Sequence, residues 1–130
     1  MKDIPELLAQ LTAKFGHLIK NISIVELNET ETSFYFKAIF TLIDSSTLRV
    51  AESVNPEKGL TRYSYYWLTT DGDLVIGWDN APHHKKINTY PHHKHLGGRK
   101  KVEPSVEPSV ERDLLSVMGY ISKYLTKDGL

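Results

Sequence analysis

Five short runs of β-branched and aromatic residues follow one another in the first part of the chain, and turn-forming residues separate them. Apolar and polar side chains alternate along several of these runs, which is typical of strands that bury one face. Asp71-Gly72 between the last two runs is a strong hairpin signal. The pattern therefore predicts about five antiparallel strands, namely Ile22 to Leu27, Phe34 to Ile43, Leu48 to Val54, Arg62 to Thr69 and Leu74 to Trp78.

Amphipathic helices are predicted on both sides of these strands in the sequence. Apolar residues recur every three or four positions between Pro5 and Lys20, and they do so again from Leu114 to Leu125. Ser109 is a candidate N-cap for the second helix. The order of elements predicts an α+β fold, in which the helices flank an antiparallel sheet. Because 130 residues is the usual size of one domain, we expect residues 1–130 to form a single core.

Composition excludes several classes of protein. With 40% hydrophobic and 25% charged residues, the chain resembles globular proteins rather than disordered ones. Its apolar runs are far shorter than the roughly 20 residues that cross a bilayer, and charged residues interrupt any signal peptide. The absence of cysteine excludes disulfides, thiolate metal sites and cysteine nucleophiles. We therefore expect a cytoplasmic protein with no membrane partner.

The segment from Asp79 to Ser109, called here the His-rich loop, shows no regular pattern and holds most of the candidate chemistry. Five of the six histidines lie in it, although the formal net charge of the chain is zero. A loop of this length in a compact domain is usually functional, and clustered cations are typical of surfaces that bind phosphate. We expect RNA to be bound through Lys85, Lys86, Lys94, Arg99, Lys100 and Lys101, together with Tyr65.

Paired histidines permit RNA cleavage without a metal ion, because RNA carries its own nucleophile in the 2′-hydroxyl. One imidazole removes the proton of that hydroxyl, a second group protonates the leaving 5′-oxygen, and cations such as Lys94 and Arg99 stabilise the phosphorane. We expect His83 and one histidine of the second group to be the acid and the base, with a carboxylate orienting an imidazole. The candidate catalytic residues are His83, His92, His93, His95, Asp79, Glu52 and Tyr66.

Two other functions remain open on the residues alone. The protein could be a metal-dependent hydrolase in which His83, His92 and His95 hold zinc or another divalent metal, although their spacing matches no defined metal motif. It could also be a non-catalytic module that binds RNA or a protein partner through its basic residues. The favoured hypothesis needs no cofactor.

Glu52 differs from the other candidates, because the alternation of the third strand places it on the same face as the inward Val50 and Val54. An unpaired carboxylate inside a protein is costly. Glu52 therefore either has a buried partner or lies at an exposed strand end.

Three motifs in the second half of the chain have a specific residue order, and Val-Glu-Pro-Ser follows them before the closing helix. The motifs are Tyr63-Ser-Tyr-Tyr-Trp, Trp78-Asp-Asn-Ala-Pro-His-His and Tyr90-Pro-His-His-Lys-His. Together they resemble the TumE family of small toxins from bacterial and archaeal toxin–antitoxin pairs.

The resemblance implies a toxin that acts on RNA and has a cognate DNA-binding antitoxin as its partner, and a homodimer is a further expectation. Matched by motif, the residues that it implicates are Asp79, Asn80, His83, His92 and His95. The chain departs from the family pattern at Tyr66 and Gly77, where members often have a histidine and a basic residue.

Overall fold

In the computed structural model, which describes residues 4–97 and 105–127, seven strands form one antiparallel sheet. Each strand pairs with the next one along the chain, so the order in space is β1 to β7. A helix and a short 3-10 turn precede the sheet, and a second helix follows it. The elements are α1 (Ile4–Phe15), the 3-10 turn (Gly16–Leu18), β1 (Ile19–Glu29), β2 (Phe34–Leu42), β3 (Thr47–Asn55), β4 (Gly59–Leu68), β5 (Leu74–Asp79), β6 (His93–Leu96), β7 (Ser105–Pro108) and α2 (Leu114–Lys127).

The α+β class, both helices and the first five strands confirm the sequence prediction, but the count of about five strands is wrong. Strands β6 and β7 lie inside the His-rich loop, which we expected to be irregular. Each has only four residues, too few to show a clear period of two. They form because β6 pairs with the free edge of β5, and β7 then pairs with the free edge of β6.

One face of the sheet packs against both helices and forms the core. Alternate residues of β2 to β5 point to this helix face, and among them Phe40, Tyr65 and Trp78 are fully buried. Leu11 from α1 and Met118 from α2 are buried against them. The opposite face of the sheet, called here the open face, carries the intervening side chains. No helix in the described ranges is long and apolar enough to cross a membrane.

Helix α2 is capped by Asp113 rather than by Ser109, so that prediction is wrong. The Asp113 carboxylate accepts the Ser116 N–H at 2.9 Å, and the Ser116 hydroxyl accepts the Asp113 N–H at 3.2 Å. Ser109 is buried, and its side chain does not cap the helix. Its N–H donates to Thr89 Oγ1 at 3.0 Å. Both Ser109 and Asp113 are residue types that commonly cap helices, so the sequence alone does not distinguish between them.

Candidate functional site

The strand register places a carboxylate, two imidazoles and a phenol side by side on the open face. Asp79 of β5 is paired with His93 of β6, while Gly77 is paired with His95 on one side and Tyr66 of β4 on the other. Directly paired residues project to the same face of a sheet, as do residues two apart on one strand. The two imidazoles and the phenol therefore meet around the Asp79 carboxylate.

Asp79 is the centre of this arrangement. Its Oδ1 lies 2.9 Å from His93 Nε2 and accepts the Ala81 N–H at 2.9 Å. Its Oδ2 lies 3.3 Å from His95 Nε2 and accepts the Tyr66 hydroxyl at 3.2 Å. Because only 11% of the side chain is exposed, water competes little for these contacts. Four neighbours thus fix the orientation of one carboxylate.

His93 is sealed inside the site and has both ring nitrogens engaged. Its Nδ1 lies 3.0 Å from the Pro91 carbonyl oxygen, which can only accept, so Nδ1 carries a proton. Its Nε2 faces the Asp79 oxygen described above. The same Nε2 also lies 3.1 Å from His95 Nε2, so His93 links the carboxylate to the second imidazole.

His84 completes the group from the start of the His-rich loop. Its ring lies 4.8 Å from the ring of His93 and 5.9 Å from that of His95, in both cases nearly perpendicular. One nitrogen of each of the three histidines lies within 4.8 Å of the other two. Neutral imidazole nitrogens and a carboxylate are ordinary zinc ligands. The three histidines with Asp79 have the donor set that could hold such an ion.

His95 and Tyr66 are partly exposed, as is His84, and the pKa values of His95 and Tyr66 shift in opposite directions. Burial lowers the pKa of His95 from 6.5, against the opposing charge of Asp79. Burial and then the charge of Asp79 raise the pKa of Tyr66 above 10.0. Both shifts favour the uncharged form, which is a neutral imidazole at His95 and a protonated phenol at Tyr66. We call Asp79, Tyr66, His84, His93 and His95 the Asp79 cluster.

Gly77 allows the Tyr66 ring to take its place in this cluster. The ring lies so close over Gly77 that a Cβ there would come within 2.1 Å of Tyr66 Cδ1. A glycine inside a strand often marks such a close approach. Tyr66 and Gly77 therefore form one structural unit, since the tyrosine ring occupies the space that the glycine leaves.

The other predicted histidines lie outside the cluster. His83 is exposed on the His-rich loop, as are Lys85 and Lys86. His92 turns to the helix face, where its Nδ1 lies 2.8 Å from the Tyr63 hydroxyl and its ring stacks on that tyrosine at 5.8 Å. Burial, followed by the charge of Arg112, lowers the pKa of His92. The structure thus brings His84, His93 and His95 together at Asp79 and places His83 and His92 elsewhere.

Lys94 also points away from the cluster, because it alternates with His93 and His95 along β6. Its Nζ lies 3.9 Å from Glu111 Oε1 and 5.4 Å from the centre of the Tyr120 ring on α2. Lys94 therefore supports the packing of the helix face and does not face a phosphate at Asp79. The predicted cations Arg99, Lys100 and Lys101 lie outside the described residues.

Glu52 faces the core, as the alternation predicted, and has a partner there. Its Oε2 accepts the Tyr65 hydroxyl at 2.5 Å, and only 6% of Glu52 is exposed. Burial raises the pKa of Glu52, and it also raises the pKa of Tyr65. This pair lies across the sheet from Asp79, so Glu52 orients no imidazole of the cluster. Tyr65 is fully buried and offers no surface to RNA.

Asn80 has a structural position next to Asp79. Its Oδ1 accepts the Tyr63 N–H at 2.9 Å, and its Nδ2 donates to the Thr61 carbonyl oxygen at 2.9 Å. These two bonds join the end of β5 to β4 beyond their last backbone pair. Asn80 thus fixes the point at which the chain leaves the sheet and enters the His-rich loop.

Sequence reasoning missed His84 because it lies beside a residue of the same type. Lys94 is a different case. Had a strand at 93–96 been recognised, the alternation of its side chains would have placed His93 and His95 on one face and Lys94 on the other.

Comparison with known protein families adds one finding to this geometry. A family model described as Toxin TumE matches residues 8–125, a span that includes the whole Asp79 cluster. Comparisons with curated proteins and with solved structures give no match.

Proposed function

Because the chain belongs to the TumE family of toxins, we propose that it acts by cleaving RNA at the Asp79 cluster without a metal ion. The observation that supports this proposal is the position of His95 and Tyr66. A neutral imidazole and a protonated phenol reach the same oxygen of Asp79 from two sides and are both partly exposed. An antitoxin partner is implied by the family.

The proposed reaction uses His95 as the base and Tyr66 as the acid. His95 takes the proton of the 2′-hydroxyl, whose oxygen then forms a bond to phosphorus while the bond from phosphorus to the 5′-oxygen breaks. Tyr66 gives its proton to that leaving oxygen. The products are a 2′,3′-cyclic phosphate and a 5′-hydroxyl. Since Asp79 Oδ2 contacts both side chains, it offers a path that returns the proton from His95 to Tyr66.

His93 and His84 replace the lysine and arginine that we first assigned to the phosphorane. The ring of His93 lies beside Asp79, and the ring of His84 lies against both other histidines. Hydrogen-bond donors held in a site from which water is largely excluded stabilise a developing negative charge more than they would in bulk water. The two residues therefore supply electrostatic stabilisation, while His95 and Tyr66 move protons.

A metal-dependent hydrolase is the second candidate, and the convergence of three histidine nitrogens favours it. A divalent ion held by His84, His93 and His95 would generate a hydroxide from water. That hydroxide would replace the 2′-hydroxyl as the nucleophile, so the hydrolase would not require RNA in particular.

One cleavage assay separates the two candidates. The purified full chain is stripped with a chelator and incubated with an RNA oligonucleotide, and in parallel with the same oligonucleotide carrying 2′-deoxyribose at the cut site. We expect cleavage in chelator, a 2′,3′-cyclic end and no cleavage at the 2′-deoxy position. Activity that requires added Zn²⁺ and ignores the 2′-deoxy change would instead support the hydrolase.

A matched set of histidine variants tests which side chains take part. We expect His95→Ala to lower the cleavage rate by about 10²- to 10⁴-fold, the usual contribution of a positioned acid or base. His84→Ala should lower the rate as well, whereas its neighbour His83→Ala should leave it unchanged. Circular dichroism of each variant controls for folding. If loss of activity followed His83 instead of His84, the Asp79 cluster would not be the active site.

A further inference from the structure

A groove on the open face lies directly beside the Asp79 cluster. It has a volume of about 330 Å³, and its lining includes Ala51 and Ser64 as well as the larger Lys37, Ile39, Arg49 and Tyr66. The concavity arises because the small side chains of Ala51 and Ser64 occupy positions between larger ones. Tyr66 belongs both to this groove and to the Asp79 cluster, so the two are continuous.

The strand register relates the groove to the cluster. Lys37, Ala51, Ser64 and Asp79 are paired in succession from β2 to β5, so they form one row across the open face. Arg49 is paired with Tyr66 in the next row. Neighbouring strands are about 4.8 Å apart, which puts Lys37 roughly 14 Å from Asp79 along the row. Lys37 thus lies on the same face of the sheet as the proposed reaction centre, three strands away from it.

The groove is positively charged. Lys37 and Arg49 are both exposed, and no acidic residue is among the described residues that line it. Glu26 is the neighbour of Lys37 across the β1–β2 pair, yet within residues 4–97 and 105–127 neither Lys37 nor Arg49 forms an ion pair within 4.0 Å. Both cations are therefore available to an anionic ligand.

The sides of the groove suit a base as well as a phosphate. Ile39 and the Tyr66 ring offer apolar and aromatic surface on the two sides of Arg49. Aromatic rings on a sheet surface bind unpaired bases by stacking, while flanking cations follow the backbone. A volume of about 330 Å³ is within the usual range of small-ligand sites and has room for a single nucleotide.

We propose that this groove binds one nucleotide of single-stranded RNA next to the scissile phosphate, with Lys37 and Arg49 on the backbone phosphates and Tyr66 against the base. The inference rests on the proposed function, which it deepens by naming the strand state of the substrate and the residues that hold it. These cations lie on the strands and not in the His-rich loop, where the sequence had indicated the binding surface.

The test compares two double variants in a background that cannot cut the probe. The parent is the full chain with His95→Ala, and the probe is a fluorescent single-stranded RNA of ten nucleotides whose anisotropy is followed at several salt concentrations. One double variant is Lys37→Ala with Arg49→Ala. The matched control, Lys58→Ala with Lys123→Ala, removes two exposed charges from a turn and from helix α2.

We expect the groove variant to bind at least tenfold more weakly than the parent, and the control to bind as the parent does. Because each phosphate contact on a single strand contributes about −0.7 to the salt slope of log K, loss of two contacts should reduce that slope by about 1.4. A duplex of the same sequence should compete poorly in all three proteins.

The alternative outcomes are distinct. If the parent binds RNA and the groove variant binds equally well with the same salt slope, the groove proposal is overturned while RNA cleavage at the Asp79 cluster stands. If the uncut RNA binds to none of the proteins and the wild type also fails to cleave it, the proposed function and the groove proposal both fail. Equal thermal midpoints of the variants exclude unfolding as the cause.

Discussion

Two carboxylate–tyrosine pairs lie on opposite faces of the same sheet. Tyr65 and Tyr66 are neighbours on β4, and the hydroxyl of the first donates to Glu52 on the helix face while that of the second donates to Asp79 on the open face. The Glu52 pair is sealed in the core, where burial raises the pKa of the carboxyl. The Asp79 pair is joined by histidines and borders a groove. The same two functional groups therefore stabilise the fold in one place and are accessible for chemistry in the other.

The difference follows from what can reach each pair. The hydroxyl of Tyr65 lies against Glu52, and its ring is stacked on Tyr63 with the ring centres 5.0 Å apart, under the helices. Around Asp79, by contrast, the side chains of His95 and Tyr66 are only partly buried. A pair of groups that water and ligands cannot reach contributes to stability, whereas a preorganised pair at a surface can act on a substrate.

The largest expected contrast comes from removing the charge of each carboxylate. We predict that Asp79→Asn lowers the rate of RNA cleavage by about 10²-fold or more, because the neutral amide no longer offers both histidines a charged acceptor and cannot return the proton from His95. Glu52→Gln should change that rate less than about threefold, well below the contribution of a catalytic acid or base. Single-turnover cleavage rates measure both. Equal losses in two folded variants would show that the faces do not differ in function.

The neighbouring tyrosines give a matched pair with separate readouts. We predict that Tyr66→Phe lowers the cleavage rate by about 10²-fold, the lower end of the range for an acid, with little change in the free energy of unfolding. Tyr65→Phe should leave the cleavage rate intact but lower the free energy of unfolding by about 1–3 kcal/mol, because it leaves the buried Glu52 without its donor. Urea titrations and cleavage rates on both variants check this. A loss of cleavage rate in Tyr65→Phe together with a loss of stability in Tyr66→Phe would contradict the comparison.

The smallest expected effect is a pH dependence of stability that comes from Glu52. Burial raises its pKa in the folded protein above the ordinary 4.5, so folding favours the protonated form. That contribution to stability is fully present below pH 4.5 and is lost as the pH rises through the folded-state pKa. Glu52→Gln resembles the protonated form, and we predict that it is more stable than the wild type at neutral pH.

The difference between Glu52→Gln and the wild type should shrink as the pH is lowered toward 4.5, and urea titrations at several pH values measure it. Comparing the two proteins at each pH cancels the titration of all other groups. A difference that stayed constant with pH would mean that Glu52 does not titrate as a buried carboxyl in the folded protein.

Most of the fold could be predicted from local patterns. The five longer strands and both helices show clear periods in the sequence, and Glu52 stood out because a charge interrupted an inward apolar series. Strands β6 and β7 could not be predicted in this way, since four residues carry too little pattern and their stability comes from the free edge of β5. The helix cap at Asp113 was ambiguous for a similar reason, because Ser109 has the same capping chemistry.

The site could be predicted in its location but not in its membership. The concentration of histidines pointed to the His-rich loop, and Asp79, His93, His95 and Tyr66 were among the candidates that the structure brings together. The sequence did not identify His84, Lys37 or Arg49 as candidates. The two groove cations are distant in sequence from the histidines, and only strand pairing brings them to the same face.

The sequence by itself determined the two helices, the first five strands, which of their residues face the core, and which stretch holds the histidines, because each of these depends on neighbours along the chain. Only the tertiary structure decided that His84 rather than His83, and His93 rather than His92, lies in the Asp79 cluster, and that Lys94 turns to the helix face. Adjacent residues of similar type differ in which side of a strand or loop they occupy. That side is set by hydrogen bonds to a distant strand, which no local pattern records.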